Sequence, residues 1–267
     1  MKQTRISPRH PRAASLMIRE RLIEGFRNGV VATAGLLAHG RGEAFDYLLG
    51  EKTTSNALKA IKAAAAILLT AKHPVISING NAAALVAKDI VKLAKECNAR
   101  IEVNLFHRSP EREVAITKSL QEAGAKEVLG VGEASSARIP EVASERRRVD
   151  PKGILIADAV LVPLEDGDRT QALRKMGKSV IAIDLNPLSR TAQFATVTIV
   201  DNIVRAMPAL TKTAAKLRKE DKGNLRKLAS SFDNKQNLSE AIRMMNKRLA
   251  AIAAKGTYLT ILEESEI

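Results

Sequence analysis

The chain has 267 residues, of which 45% are hydrophobic and 27% charged, so it can bury a real core and neither a disordered chain nor a membrane protein is indicated. Its longest apolar run, Ala63 to Ala71, is broken by Thr70 and flanked by Lys62 and Lys72, well short of the ~20 residues that cross a bilayer. A net charge of +14 draws it to polyanions, but with 3% aromatics and no Trp there is little from which to build base-stacking platforms, which ranks nucleic acid second to small phosphorylated ligands.

Met1-Lys2-Gln3-Thr4-Arg5 is followed by no apolar block, and the single Cys97 can form no internal disulfide, which together predict a cytoplasmic protein. From about Ala13 to Lys72 the pattern is helical, and the Ala-rich stretch at its end is a good helix former that packs. Between Pro74 and Asp201 β-branched runs alternate with amphipathic stretches. This predicts strands at 75–78, 100–106, 127–131, 159–164, 179–184 and 196–200, apolar nearly throughout as strands buried on both faces must be. Ser109-Pro110 reads as a helix start and Gly124 as its stop. Residues 205–256 read as two or three surface helices broken near Gly223 and Ser230–Asn234, their charges a solvated face. The expectation is one α/β domain with a Rossmann-like, mostly parallel sheet flanked by helices: a helical region over 1–72, a sheet core over 73–204 and carboxyl-terminal helices over 205–267.

In an open parallel sheet, ligands bind at the carboxyl ends of the strands. Five of the six predicted strands end there in polar groups: Asn79-Gly80-Asn81, His107-Arg108-Ser109, Glu165 to Thr170, Asp184-Leu185-Asn186 and Asp201-Asn202. Asn79-Gly80-Asn81 suits a turn that cradles an anion, with Gly80 permitting close approach, or a simple N-cap. Gly40-Arg41-Gly42 suits a phosphate that needs charge-assisted hydrogen bonds. Asp184-Leu185-Asn186 with Ser189-Arg190-Thr191 has the makings of a nucleotide clasp. Gly177-Lys178-Ser179 is no phosphate loop, because it precedes its strand, and Gly130-Val131-Gly132 lacks the third glycine of a dinucleotide fingerprint. His10, His39, His73 and His107 have no metal-ligand spacing and Cys97 reads as a buried thiol, so neither a structural metal nor a cysteine nucleophile is expected.

Three long strings carry a family resemblance: Leu37 to Leu48 (LAHGRGEAFDYL), Val162 to Thr170 (VPLEDGDRT) and Ile183 to Thr191 (IDLNPLSRT), supported by His10-Pro11-Arg12, Arg19-Glu20, Val75 to Asn81 and Glu102 to Arg108. Up to about Pro208 the chain resembles the archaeal phosphopantothenate synthetases, or 4-phosphopantoate:β-alanine ligases; Arg9 stands where that pattern has a serine, and the carboxyl-terminal helices match in composition alone. The resemblance implies a homodimer that condenses 4-phosphopantoate with β-alanine, using ATP with Mg²⁺ and releasing AMP and diphosphate through an acyl-adenylate. It implies ATP contacts at Arg19, Arg41, Asp184, Leu185, Asn186, Arg190, Thr191, Asn202 and Ile203. On that basis Arg41 and Arg190 are expected to meet the triphosphate, and Arg12, Arg108 or Arg169 the substrate's own phosphate, beside Asn79, Asn81 and His107. Catalytic duty is expected of Arg41, His39 and Asp166, where Asp166 or Asp168 would hold Mg²⁺ or take the amine proton, unless it merely caps a helix. The alternative is a basic nucleotide- or nucleic-acid-binding protein without turnover.

Overall fold

The protein was described from a computed structural model covering residues 6–10 and 12–256; Met1–Arg5, Pro11 of the amino-terminal string and the tail from 257 onward lie outside the described residues. Three helices come first: α1 (Ala13–Arg27), α2 (Thr33–Leu49) and α3 (Ser55–Thr70). The chain continues through β1 (Pro74–Ile78), α4 (Gly80–Cys97), β2 (Arg100–Val103), α5 (Pro110–Glu122), the two-residue strands β3 (Ala137–Arg138) and β4 (Arg148–Val149), and β5 (Ala159–Pro163). It closes with α6 (Gly167–Lys175), β6 (Ser179–Ile183), α7 (Arg190–Phe194), β7 (Val197–Ile199), α8 (Ile203–Leu217), α9 (Lys222–Ser230) and α10 (Asn234–Lys255). Among the described residues no helix is long and apolar enough to cross a membrane.

Five strands pair in parallel in the order β2-β1-β5-β6-β7. Alternate residues of each strand serve opposite faces. In β6, Ile181 and Ile183 join the core under α3, α4 and α8, while Val180 and Ala182 join the one built by α6 and the segment from Ile139 to Ala157. A third cluster lies at the carboxyl edge, where Leu238, Ala241 and Met245 of α10 meet Leu49, Leu185 and Ala192. After β1 the chain winds outward to β2, then crosses to β5 and winds outward the other way, so the topological switch point lies between β1 and β5.

Several expectations need correction. Residues 127–131 form no strand: Leu129 makes one bridge, to Glu102, and Gly130 at φ +76° turns the chain away. A Cβ on Gly130 would stand 2.5 Å from the Val103 carbonyl oxygen, so the turn needs glycine. The antiparallel β3–β4 pair, which had no counterpart in the reading by periodicity, belongs to an arm over residues 132–157 that covers one face of the sheet. Helix α8 is not a surface helix, because Ala206, Met207, Leu210 and Ala214 are buried in the main core. The start at Ser109-Pro110 and the stop at Gly124 fall as expected: Ser109 accepts from the Arg112 N–H, and Gly124 lies at φ +100°.

The arm is tied down by Glu102 on β2, which has no exposed surface. Its two carboxyl oxygens accept from the N–H of Asp150 (2.9 Å) and of Ile154 (2.5 Å). Burial pushes this carboxyl up to about 7 against the pull of the two backbone donors. The folded state therefore holds the proton more tightly than the unfolded chain, and the sign follows: the contribution of this group to stability is greatest at acid pH and falls as pH rises from about 4.5 through about 7, by on the order of 3 kcal/mol. In Glu102→Gln one backbone N–H would face an amide NH₂, at a cost of about 1–3 kcal/mol. Urea unfolding at pH 5 and pH 8 is expected to show the deficit of that variant shrinking at pH 8, and a deficit that widens would contradict the assignment.

Candidate active site

A cleft of about 620 Å³ opens at the carboxyl edge of the sheet. Sheet order sets its layout. The β2 end supplies Phe106 and His107, the β1 end Asn79 and Asn81, the β5 end Leu164, Glu165 and Asp166, and the β6 end Asp184 to Asn186 with Arg190 and Thr191. From β2 to β6 is three strand spacings, roughly 14 Å.

Helix α2 forms a side wall. Ala34, Ala38, Arg41 and Phe45 line the cleft, the i, i+4, i+7 spacing of one helix face. Arg41 is exposed there, and among the described residues it makes no hydrogen bond. His39, two residues away, points elsewhere. It belongs with Arg19 and Glu43 on another face of α2, half-buried, with Nε2 lacking a partner among the described residues; burial, then the nearby Arg19 charge, lower its pKa against the pull of Glu43. Arg19 is held by Glu43, with Nε 2.9 Å and Nη2 2.8 Å from Oε2. Arg12 donates to the Tyr47 hydroxyl (3.1 Å) on the same outer side. The single unbroken helix therefore separates Arg41 from His39, Arg19 and Arg12.

Arg108, Arg169, Asn202 and Ile203, also expected at the site, are absent from the wall as well. Arg108 has a buried side chain, paired with Glu113 and donating to the Gly130 carbonyl (3.0 Å), so it fixes the 130–132 turn. Arg169 is fully buried beneath the cleft, where Nη1 meets Glu165 and lies 3.3 Å from Ser77 Oγ. Asn202 caps α8 and donates to Asp46 (2.8 Å) in a buried network with Arg205 and Asp201, next to the core residue Ile203. Lys178, rejected above as a phosphate-loop lysine, donates to the carbonyls of Leu155 and Ala157, both at 2.7 Å.

Two arginines on the wall went unread in the sequence. Arg146 comes from the arm, and the buried Asn104 brings it in by donating to the carbonyls of Arg146 (3.1 Å) and Arg148 (3.0 Å). Its guanidinium is gripped by Glu165 through Nη1 and by Asp166 through Nε at 2.8 Å. Arg112 of α5 donates to the carbonyls of His107 and Val30. In the sequence the first looks like part of a charge run, Glu145 to Arg148, and the second like an exposed helix position.

Asp166 occupies the N-cap position of α6, yet its side chain makes no capping bond. Burial raises its pKa against Arg146, with Glu165 and Asp168 adding to the rise. Burial also raises Asp184, opposed by the Ser189 hydroxyl, the Asn186 N–H and the Arg41 charge. Thr191 is buried and donates to the Glu165 carbonyl (2.8 Å). The close approach at Gly80 is to protein, since a Cβ there would stand 2.1 Å from the Val30 carbonyl oxygen. Asn81 donates to the Gly35 carbonyl (2.8 Å), tying α4 to α2.

The family described as phosphopantothenate/pantothenate synthetase matches residues 56–248. A relative from Thermococcus kodakarensis, named 4-phosphopantoate--beta-alanine ligase, is 50% identical over 93% of this chain and 95% of its own. Relatives of the same name from Methanosarcina mazei and Methanospirillum hungatei are 51% identical over 93% and 97%, and 48% over 90% and 96%, of the two chains respectively. With identity near one half over nine-tenths or more of each chain, the protein belongs to the phosphopantothenate/pantothenate synthetase family.

Proposed function

We propose that the cleft joins 4-phosphopantoate to β-alanine with ATP, the activity named for the relatives. The observation that carries this reading is the order of charge along the cleft. Basic groups lie at the β2 end (His107, Arg112) and at the β6 end (Arg190, with Arg41 opposite), and between them, at the β5 end, Arg146 is paired with Glu165 and the more exposed Asp166. Two anionic substrates that must meet head to head need positive charge at both far ends, and an amine needs a base where they meet. The triphosphate is assigned to Arg41 and Arg190, with Asp184 and Asn186 toward the nucleoside, and the phosphate of phosphopantoate to Arg112 and Arg146 in place of Arg12, Arg108 and Arg169.

In the first step a carboxylate oxygen of phosphopantoate attacks the α-phosphorus of ATP. A P–O bond forms, the α–β bridge breaks, and diphosphate leaves with its electron pair. In the second, the β-alanine nitrogen attacks the acyl carbon, a C–N bond forms, AMP leaves, and Asp166 takes the nitrogen's proton. No enzyme nucleophile is required, because alignment of the reactants supplies much of the rate. Mg²⁺ is assigned to the nucleotide as part of the substrate. Such an ion is held largely by phosphate oxygens. A homodimer and a cytoplasmic location are retained as parts of the proposal, and a sedimentation mass of one chain would remove the former.

The two-step route is tested by exchange of labelled diphosphate into ATP. Exchange that requires 4-phosphopantoate and proceeds without β-alanine is the expected result, whereas exchange that begins only when the amine is added would remove the adenylate.

A further inference from the structure

The switch point between β1 and β5 leaves a gap that no connecting loop covers, because the chain departs to opposite sides. Two carbonyl groups face it, those of Pro163 and Leu164 at the end of β5. Asn79 at the end of β1 spans the gap: Nδ2 donates to the Pro163 oxygen (2.8 Å) and the Leu164 oxygen (3.0 Å), while Oδ1 accepts from the Ala82 N–H (3.0 Å) and caps α4. Asparagine suits the position because it offers one capping oxygen and two hydrogens on one short side chain. Aspartate lacks the donors, and serine has only one.

Leu164 itself lies at φ +53°, in the left-handed region that a leucine enters at a cost. It is held from both sides, by Asn79 and by its own N–H donating to the Ile183 carbonyl (3.1 Å). The next two residues are Glu165 and Asp166, which grip Arg146, and the Glu165 carbonyl accepts from Thr191. The direction in which both carboxylates leave β5 is therefore set at Leu164.

We propose that Asn79 is a positioning residue: it holds the left-handed exit of β5, and so fixes Glu165, Asp166 and through them Arg146, rather than touching substrate. The functional consequence rests on the roles given above to Asp166 and Arg146; the clamp itself does not.

Asn79→Asp tests it, because the variant keeps the capping oxygen for Ala82 and sets a second oxygen against the two carbonyls. The expected result is a fall in kcat of about 100-fold, the scale of an ångström-sized displacement of reacting groups, with KM for ATP changed less than about threefold. Leu164→Gly added to Asn79→Asp is expected to recover about tenfold, since glycine adopts the turn without the clamp. Urea unfolding supplies a readout independent of turnover: the loss of midpoint caused by Asn79→Asp is expected to be at least halved in the Leu164→Gly background. Wild-type turnover in Asn79→Asp, a rise confined to KM for 4-phosphopantoate, or equal losses of midpoint in both backgrounds would each overturn the proposal. If the coupling in unfolding is present while Asp166→Asn turns over normally, the clamp stands and the role of Asp166 fails.

Discussion

Asp166→Asn is expected to stop amide formation while diphosphate exchange into ATP continues. The carboxylate sits at a helix start where it would ordinarily cap, yet it leaves the backbone alone and turns to Arg146. Its side chain is 39% exposed against 2% for neighbouring Glu165, so of the two only Asp166 is open to an incoming amine. Burial raises its pKa, which brings a general base closer to working pH and makes it more effective. Loss of such a base costs about 10²–10⁴ in rate. The sign of the pH dependence follows: the base must be ionised, so turnover is lost as pH falls through a pKa that lies above that of an ordinary aspartate. Exchange within about threefold of wild type and a collapsed overall rate would fit; an unchanged overall rate, or loss of both steps together, would remove Asp166 as the base.

Arg41→Ala is expected to weaken ATP binding without weakening the fold. The guanidinium is exposed on the cleft face of α2 and makes no hydrogen bond among the described residues, so its removal strands no buried hydrogen-bond partner. Truncating one side of a desolvated charge-assisted contact costs about 2–5 kcal/mol, and the lower figure already corresponds to roughly a 30-fold rise in KM for ATP. The KM for β-alanine and the unfolding midpoint are expected to stay near wild type. An unchanged affinity for ATP would move the triphosphate away from this wall.

Much of this architecture was legible in the residues. Strands β1, β5, β6 and β7 fall within a residue of their expected bounds at every end, because a strand buried on both faces is apolar nearly throughout and polar groups follow within two residues of its end. The 127–131 segment has the same composition but ends at a glycine packed on the Val103 carbonyl, and only the tertiary contact decides that it makes a single bridge. The arm over 132–157 escaped because its strands are two residues long and pair across nine intervening residues, too short for any periodicity to register. Arg146 was hidden with it.

Within α2 the signal was present and unused. Ala34, Ala38, Arg41 and Phe45 share one helical face while His39 and Glu43 share another, so the spacing alone separates Arg41 from His39. Likewise the apolar positions 206, 207, 210 and 214 of α8 already form a buried stripe. What no local pattern could give is the use of Asn79. Its partners lie 84 and 85 residues away, and they meet it only because the strand order places β5 beside β1.

The most direct test of the ligase assignment is mass spectrometry of the products formed from ATP, Mg²⁺, β-alanine and 4-phosphopantoate, beside a reaction in which pantoate replaces 4-phosphopantoate. The expected result is 4′-phosphopantothenate with AMP from the phosphorylated substrate alone. Product from pantoate only would contradict the phosphate site at Arg112 and Arg146, and no product from either acid would contradict the ligase itself and leave a basic nucleotide-binding protein in its place.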